Sequence, residues 1–244
     1  MKIRKLSAIS STNDYLKELY AKKKLDNFTV ISTDHQTLGK GQGVNKWTSK
    51  KGKNLLFSVL VKNKSLEISN IPFLNFSISV AIYQVLKQYL SQVEIKWPND
   101  IMAGNKKICG VLIENVIRKS VVNHSIIGIG LNVNQISFPE NLPNASSLSI
   151  LLSKEIDLDL LLKELIFSIQ KQISILEEKQ FSILKNTYEE VLYKKGTPSM
   201  FKSKRGKIFM GKIIGVSDAG LLQIELENGI ITEFANKEVK LHTS

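Results

Sequence analysis

The sequence predicts an α/β protein of the α+β kind, in which a unit of strands and helices precedes a small all-β unit. Strand-like and helix-like segments alternate as far as residue 193, whereas after residue 196 short apolar runs and turn residues recur about every ten residues. The 244 residues, 43% of them hydrophobic, suffice for one ordinary domain and a small second one. We therefore expect one domain over residues 1–193 and a small β-barrel or sandwich over residues 194–244.

The first elements are a capped helix, two strands and a long loop between the strands. Ser11 can cap a helix, and Asp14 follows three residues later as in a capping box. Strands are expected at residues 28–31 and 54–61. Residues 34–53 contain four glycines, and a loop of this length is usually functional or disordered.

The next elements are a buried helix and further strands. Pro72 suits the first turn of a helix that is apolar nearly all round, so this helix is expected in the core. Residues 93–97 form a strand, which Pro98 ends by favouring a turn. Two more strands are expected at residues 108–116 and 121–133, before amphipathic helices that reach about residue 193.

Charge and cysteine content narrow the class of protein. A formal net charge of +12 suits nucleic acid, nucleotide phosphate or an acidic protein surface, although a general lysine bias would give the same value. The single cysteine, Cys109, excludes an internal disulfide. The sequence has no run of about 18 apolar residues and no apolar leader pattern, so we expect a cytoplasmic protein without a membrane partner.

The glycine-rich loop is the first candidate site. Residues 39–43 read Gly-Lys-Gly-Gln-Gly, which matches neither a P-loop nor a dinucleotide fingerprint. Its glycines let backbone amides approach an anion, and its lysines add positive charge. A flexible surface loop is the alternative, but Trp47 requires a surface on which to pack and favours a ligand site.

The segment 96–100, Lys-Trp-Pro-Asn-Asp, is the second candidate site. Lys96 and Asp100 stand at a strand end, where open α/β sheets bind ligands. A buried tryptophan followed by an ordinary turn is the alternative.

Lys107 is the third candidate. Alternation along a strand puts Lys107 and Cys109 on one face, and it puts Ile108 and Gly110 on the other. Lys107 could point into a cleft or be an ordinary hairpin lysine, and Cys109 suits a small core residue.

The segment 128–134, Gly-Ile-Gly-Leu-Asn-Val-Asn, is the fourth candidate. Two glycines inside an apolar strand indicate close approach by a ligand or another backbone, or a bulge. No metal site is predicted, because His35, His124 and His242 are scattered without ligand-like spacing.

Together these motifs resemble the biotin protein ligases, over essentially the whole chain. Segments 96–100 and 107–114 are the most specific part of the resemblance, and the Ser-Thr-Asn triplet at 11–13 adds to it. The resemblance implies a mixed sheet like that of class II aminoacyl-tRNA synthetases and of biotin and lipoate ligases, and an SH3-like C-terminal barrel. It also implies ATP-dependent formation of biotinyl-5′-AMP and transfer of biotin to a lysine of a biotin carboxyl carrier protein or domain, with Mg²⁺ accompanying ATP.

The resemblance also implies the site residues. Lys107 would bridge the biotin carboxylate and the α-phosphate as the catalytic residue. Biotin would be held by Ser11, Thr12, Asn13, Gln36, Lys40, Gly41, Gln42, Lys107, Gly110 and Gly128. The nucleotide would be held by Lys40, Trp47, Asn99, Asp100, Lys107 and Asn132.

Two departures from the family pattern matter. Lys40 and Gln42 stand where arginines are common, so our hypothesis is that the adenylate is held less tightly. The triplet begins at residue 11, so we expect a short form without an N-terminal DNA-binding domain and without specific DNA binding.

A homodimer is among the expected assemblies. The alternatives are a lipoate ligase, whose arginine-led triple-glycine segment is missing, and a nucleic-acid-binding protein that uses the basic C-terminal unit.

Overall fold

A computed structural model describes residues 2–242, apart from the side chains of residues 64 and 65, and it contains two β-sheets. The first sheet comprises β1 (Lys2–Leu6), β2 (Thr29–Thr33), β3 (Leu55–Glu67), β4 (Val93–Lys96), β5 (Asp100–Ala103), β6 (Lys106–Arg118) and β7 (Val121–Leu131). The second comprises β8 (Pro198–Ser203), β9 (Ile208–Val216), β10 (Leu222–Leu226), β11 (Ile231–Phe234) and β12 (Val239–Leu241).

The strand order confirms the predicted α/β (α+β) class with a mixed sheet. The first sheet runs β1-β2-β3-β7-β6-β5-β4, with β1 and β2 parallel and the later neighbours antiparallel. The second runs β11-β10-β9-β8-β12 with antiparallel pairs. The SH3-like form of the second sheet and the domain boundary at residues 193 and 194 stay predictions.

Helices cover both faces of the first sheet. The helices are α1 (Thr12–Lys22), α2 (Ile71–Leu86), α3 (Leu148–Leu152), α4 (Leu158–Glu177) and α5 (Phe181–Glu190). Successive strand residues point to opposite faces. Ile31 and Leu60 therefore pack with Leu16 of α1, whereas Val30 and Val59 belong to the larger core that includes α2 and α4.

The apolar helix predicted from Pro72 is a core helix. The segment Ile68–Leu86 is long and apolar enough by composition to cross a membrane. In this fold, however, 11 residues of α2 are buried, and the helix packs against α4 and α5. Its apolar composition is therefore explained by the protein core.

Two strands were not predicted, and one of them changes how the segment 96–100 is understood. Neither β1 nor β5 was expected from the sequence. Because β4 and β5 pair antiparallel, with Lys96 opposite Asp100, the segment is a hairpin turn. Lys96 does stand at the end of a strand and the segment lines the cavity described below, but the chain turns back directly into β5 and does not leave an open α/β sheet.

Hydrogen bonds hold the second sheet against the rest of the molecule. The indole Nε1 of Trp97 donates to the carbonyl oxygen of Gly220 at 3.0 Å. The backbone N–H of Val216 donates to the carboxylate of Glu189 in α5, also at 3.0 Å. These bonds hold the second sheet against the hairpin turn and α5, so that both sheets contribute to one cavity.

Candidate active site

A cavity of about 600 Å³ lies between the first sheet, the glycine-rich loop and the second sheet. Most of the predicted site residues line it. The lining includes Ser11, Thr12, Asn13, Gln36, Lys40, Gly41, Gln42, Trp47, Asn99, Asp100, Lys107, Gly110 and Gly128. The structure thus brings together segments that are far apart in the sequence.

A polar network forms at the start of α1. The Ser11 hydroxyl caps the helix by accepting a hydrogen bond from the backbone N–H of Asp14, as predicted. The backbone N–H and the hydroxyl of Thr12 donate to Gln36 Oε1 at 2.8 and 3.1 Å. The Ser58 hydroxyl lies 2.7 Å from Thr12 Oγ1. Because these groups are fixed by one another, this end of the cavity presents ordered donors and acceptors.

Asn13 belongs to the same network, and its side chain lies where a side chain at position 128 would otherwise stand. Its Nδ2 donates to the carboxylate of Glu114 at 2.6 Å, and its Oδ1 lies 2.5 Å from the Ser58 hydroxyl. A Cβ on Gly128 would collide with this side chain. Gly128 therefore makes room for the side chain of Asn13, whereas the sequence pattern had predicted close approach by a ligand or another backbone.

The glycine-rich loop folds back on itself as a hairpin over residues 39–47. The Gly41 N–H donates to Asn45 O at 2.8 Å, and the Trp47 N–H donates to Gly39 O at 2.9 Å. The Lys40 ammonium lies 2.7 Å from the Asp14 carboxylate, and this hydrogen bond raises the pKa of Lys40. Lys40 therefore stays protonated beside the network at α1.

Trp47 lies on a floor made by two glycines of neighbouring strands. Gly110 and Gly130 are paired across β6 and β7. A Cβ on Gly130 would lie 2.5 Å from the indole, and a Cβ on Gly110 would lie 3.1 Å from it. The indole Nε1 is buried without a hydrogen-bond partner in the described part of the chain. An unpaired buried donor is costly, so the position of the Trp47 ring is not explained by hydrogen bonding within the described residues.

A β-bulge directs Lys107 into the cavity. The pairing of β5 with β6 shifts between Ile101 and Met102, which leaves Ile108 as the extra residue. The bulge brings Lys107 and Gly110 to the same side, where Lys107 Nζ lies 3.4 Å from the place that a Cβ on Gly110 would occupy.

The simple alternation predicted for this strand was therefore wrong. Lys107 shares the cavity with Gly110, whereas Cys109 is fully buried. Burial raises the pKa of the Cys109 thiol, which keeps it protonated. Cys109 is a core residue, as the sequence favoured.

The ammonium of Lys107 lies between a carboxylate and an aromatic ring. Its Nζ is 2.6 Å from Asp100 Oδ1 and 5.8 Å from the centre of the Trp47 ring. A protonated amine in this position can contact a second anion while Asp100 holds it in place.

Three hydrogen bonds from or to other elements stabilise the turn over residues 96–100. The carbonyl oxygen of Pro98 accepts hydrogen bonds from Asn75 at 2.7 Å and from the Tyr188 hydroxyl at 3.0 Å. Asn99 Nδ2 donates to Val111 O at 2.5 Å. These bonds fix the backbone from which Asp100 reaches Lys107.

One predicted nucleotide-binding residue lies away from the cavity. Asn132 is 4% exposed, and its Nδ2 donates to Ser146 O at 3.0 Å. This hydrogen bond stabilises the loop that precedes α3. Asn132 does not line the cavity. This position gives no support to a contact with nucleotide.

No residue of the second sheet was among the predicted biotin- and nucleotide-binding residues, yet this sheet contributes to the cavity. The second sheet and the turns beside it line the cavity with Lys202, Lys204, Asn236, Lys237 and Lys240. Lys46, Tyr193 and the predicted candidate Lys96 line it from the rest of the chain. The basic composition after residue 190 was visible in the sequence, but which lysines face the site depends on how the two sheets meet.

The described residues contain no group of three or more metal-ligating side chains. Asp100 is the one carboxylate in the lining, and Lys107 occupies it. A Mg²⁺ ion carried by ATP phosphates needs only one or two protein carboxylates. Asp100 fits that limited role, whereas a cage built from protein ligands alone does not fit these residues.

Comparison with known proteins places these features in one family. The family model described as the biotin/lipoate A/B protein ligase family matches residues 6–132. The bifunctional ligase/repressor BirA of Bacillus spizizenii is 32% identical over 226 residues, which cover 91% of this chain and 69% of that protein. The chloroplastic biotin–protein ligase 1 of Arabidopsis thaliana is 30% identical over 132 residues, 51% of this chain and 34% of that protein.

A solved structure shows the same architecture. The biotin protein ligase from Aquifex aeolicus, in complex with biotin and ATP, superposes with a TM-score of 0.83 at 29% identity. The match covers 100% of this chain and 99% of the Aquifex chain, so both sheets are included.

Proposed function

The chain belongs to the biotin/lipoate A/B protein ligase family and is an ATP-dependent biotin protein ligase, and we propose that it transfers biotin to a lysine of a biotin carboxyl carrier domain. Transfer proceeds in two steps. The biotin carboxylate attacks the α-phosphorus of ATP, which forms biotinyl-5′-AMP and releases pyrophosphate. The carrier lysine then attacks the acyl carbon, and AMP leaves.

The observation that carries the residue assignment is the position of Lys107. Its ammonium lies beside Asp100 in a cavity that the polar residues at the start of α1 and the turn at Asn99 also line. In the proposed mechanism Lys107 binds both the carboxylate and the α-phosphate, which brings two anions together and offsets charge in the transition state. No side chain needs to form a covalent bond with the substrate.

The two ends of the cavity receive the two substrates. Ser11, Thr12, Asn13 and Gln36 hydrogen-bond the ring system of biotin, and Lys40 to Gln42 close over it. Trp47 packs on the ligand. Asn99 and Asp100 bind the nucleotide side, and Mg²⁺ that arrives with ATP would meet Asp100.

A pyrophosphate-exchange assay tests this function. The protein is incubated with ATP, labelled pyrophosphate and either biotin or lipoate, and incorporation of label into ATP is measured. We expect exchange with biotin and only background with lipoate. Exchange that depends on lipoate would support the lipoate ligase alternative and contradict the proposal.

The carrier, the lack of a repressor role and the assembly are further parts of the proposal. Labelled biotin should appear on a purified biotin carboxyl carrier domain and be lost when the target lysine of that domain is replaced. A gel-shift experiment at physiological salt should show no sequence preference for DNA, because charge alone gives non-specific, salt-sensitive binding. A cytoplasmic location and a homodimer stay predictions.

A further inference from the structure

We propose that Glu114 and Ser58 are positioning residues for biotin, because they orient the amide of Asn13 and thereby fix which hydrogen-bonding groups the cavity presents to the ring system of the substrate. Neither residue was among those expected to bind biotin, and neither lines the cavity. Both act through Asn13, which does line it. The inference rests on the proposed function, since it concerns how the biotin end of the site is built.

One end of the network is fixed by a carboxylate. Glu114 Oε2 accepts a hydrogen bond from Asn13 Nδ2 at 2.6 Å, and the other oxygen of Glu114 is paired with the ammonium of Lys17. An ionised carboxylate accepts hydrogen bonds and donates none. The nitrogen of the Asn13 amide must therefore face Glu114, because the opposite orientation would bring two acceptors together.

The other end of the network is fixed by a backbone group. The N–H of Thr12 donates to Gln36 Oε1 at 2.8 Å. A backbone N–H only donates, so the oxygen of the Gln36 amide must face Thr12. The nitrogen of this amide is turned toward the glycine-rich hairpin, where it lies 3.2 Å from the place that a Cβ on Gly39 would occupy. Gln36 therefore turns a hydrogen-bond donor away from Thr12.

Ser58 connects the two ends. Its Oγ lies 2.5 Å from Asn13 Oδ1 and 2.7 Å from Thr12 Oγ1. Ser58 is fully buried in β3 and is paired with Gly128 of β7, the glycine that leaves room for Asn13. Because Glu114 turns the Asn13 oxygen toward Ser58, the hydroxyl donates to that oxygen. An amide oxygen has two lone pairs, so one of them remains for an N–H of the ligand.

The resulting arrangement of donors and acceptors suits a cyclic urea, which is the hydrogen-bonding ring of biotin. Such a ring carries N–H donors and a carbonyl acceptor, while Asn13 offers an acceptor and Gln36 offers a donor. Without the carboxylate of Glu114, the Asn13 amide would have no single preferred orientation. A reversed amide would place a donor against an N–H of the ring and leave both groups unpaired, which weakens binding.

Isothermal titration calorimetry with biotin, applied to a double-mutant cycle, tests this role. Glu114→Gln gives Asn13 a neighbour that both donates and accepts, and Asn13→Asp places two carboxylates side by side. The double variant Asn13→Asp, Glu114→Gln exchanges the two groups, so that the new carboxylate accepts from the new amide and still turns an oxygen toward Ser58. We expect the Kd for biotin to rise about five- to tenfold in each single variant and to return to within about twofold of the wild-type value in the double variant.

Two further variants separate this role from a general effect on stability. Glu18→Gln makes the same chemical change at an exposed position of α1 and should leave the Kd for biotin unchanged. Ser58→Ala removes the hydroxyl but keeps the contact between Asn13 and Glu114, and it should raise the Kd about two- to fivefold. The Tm of every variant is measured in parallel, and Ser58→Ala carries the test if Glu114→Gln does not fold.

Several outcomes would overturn the inference. These are an unchanged Kd in Glu114→Gln, an unchanged Kd in Ser58→Ala, and losses that simply add in the double variant, as expected if the two positions only support the fold. A wild-type protein that binds no biotin would instead contradict the proposed function itself.

Discussion

At the scale of single residues, the site depends on one lysine and on the glycines beside it. Lys107 is directed by a bulge at Ile108, and Gly110 and Gly130 leave room for the Trp47 ring. Each of these residues determines the shape of the cavity, so we expect a substitution at each of them to impair the activity in a different way.

Replacing Lys107 by alanine should lower the rate of biotin-dependent pyrophosphate exchange by about 10²- to 10³-fold, because one charged donor to the reacting phosphate is lost. The exchange assay at saturating ATP and biotin measures this. Lys106→Ala is the matched control, since the adjacent lysine donates to Pro143 O at the surface. Full activity in Lys107→Ala would refute the catalytic assignment.

Gly130→Ala should impair the site more than Gly110→Ala. The new Cβ would lie 2.5 Å from the Trp47 indole at position 130 and 3.1 Å from it at position 110, so the ring must move farther in the first variant than in the second. We expect kcat/KM for ATP to fall about tenfold or more in Gly130→Ala. Steady-state kinetics of both variants provide the comparison, and equal effects would mean that Trp47 adapts without cost.

At the scale of elements, sequence patterns predicted the regular helices and strands and missed the features that depend on how strands pair. The capped helix α1, the core helix α2 and the β6–β7 hairpin follow from periodicity and capping. β1 was missed because its sequence, Lys-Ile-Arg-Lys-Leu, lacks clear alternation, and β5 because Pro98 suggested that the strand pattern had ended. The bulge at Ile108 was not predictable, since it exists only in the register between two strands.

His124 should make the packing of α1 on the sheet sensitive to acid. Its ring packs edge-on against Tyr20 of α1, with ring centres 4.7 Å apart. Burial, and secondarily the positive charges of Arg118 and Lys62, lower the pKa of His124 from its usual 6.5. The folded protein thus binds this proton less well than the unfolded chain, so stability is complete above pH 6.5 and falls as the pH drops through the lowered pKa.

His124→Phe keeps a ring against Tyr20 and removes the titration. We expect the free energy of unfolding, measured in urea, to decrease less between about pH 8 and about pH 5 in this variant than in the wild type. His242→Phe, which changes a histidine outside this contact, should retain the wild-type dependence. Identical slopes in wild type and His124→Phe would exclude a role for this residue.

At the scale of the whole molecule, the site forms only where the two sheets meet. The resemblance of single segments predicted residues that line the cavity from the first sheet and the hairpin, with Asn132 as the exception. The contribution of Lys237 and Lys240 could not be predicted, because their approach to the cavity follows from the docking of the second sheet.

Glu189→Ala should loosen that docking. The carboxylate accepts the backbone N–H of Val216 at 3.0 Å and lies 3.4 Å from the Lys195 ammonium. Its loss leaves a donor without a partner, so we expect Tm to fall by about 3–8 °C and the KM for ATP to rise. Calorimetry and kinetics measure the two effects. Glu190→Ala, at an exposed position of the same helix, should change neither; a similar effect there would point to α5 itself.

The positions of the two tryptophans give the protein two separate optical reporters. The chain contains only Trp47 and Trp97. The first lies on the glycine floor of the cavity and the second donates to Gly220 where the sheets meet. In a Trp97→Phe variant all indole emission would come from the cavity, and in a Trp47→Phe variant all of it would come from the contact between the sheets. Ligand occupancy and sheet docking could then be followed as independent fluorescence signals.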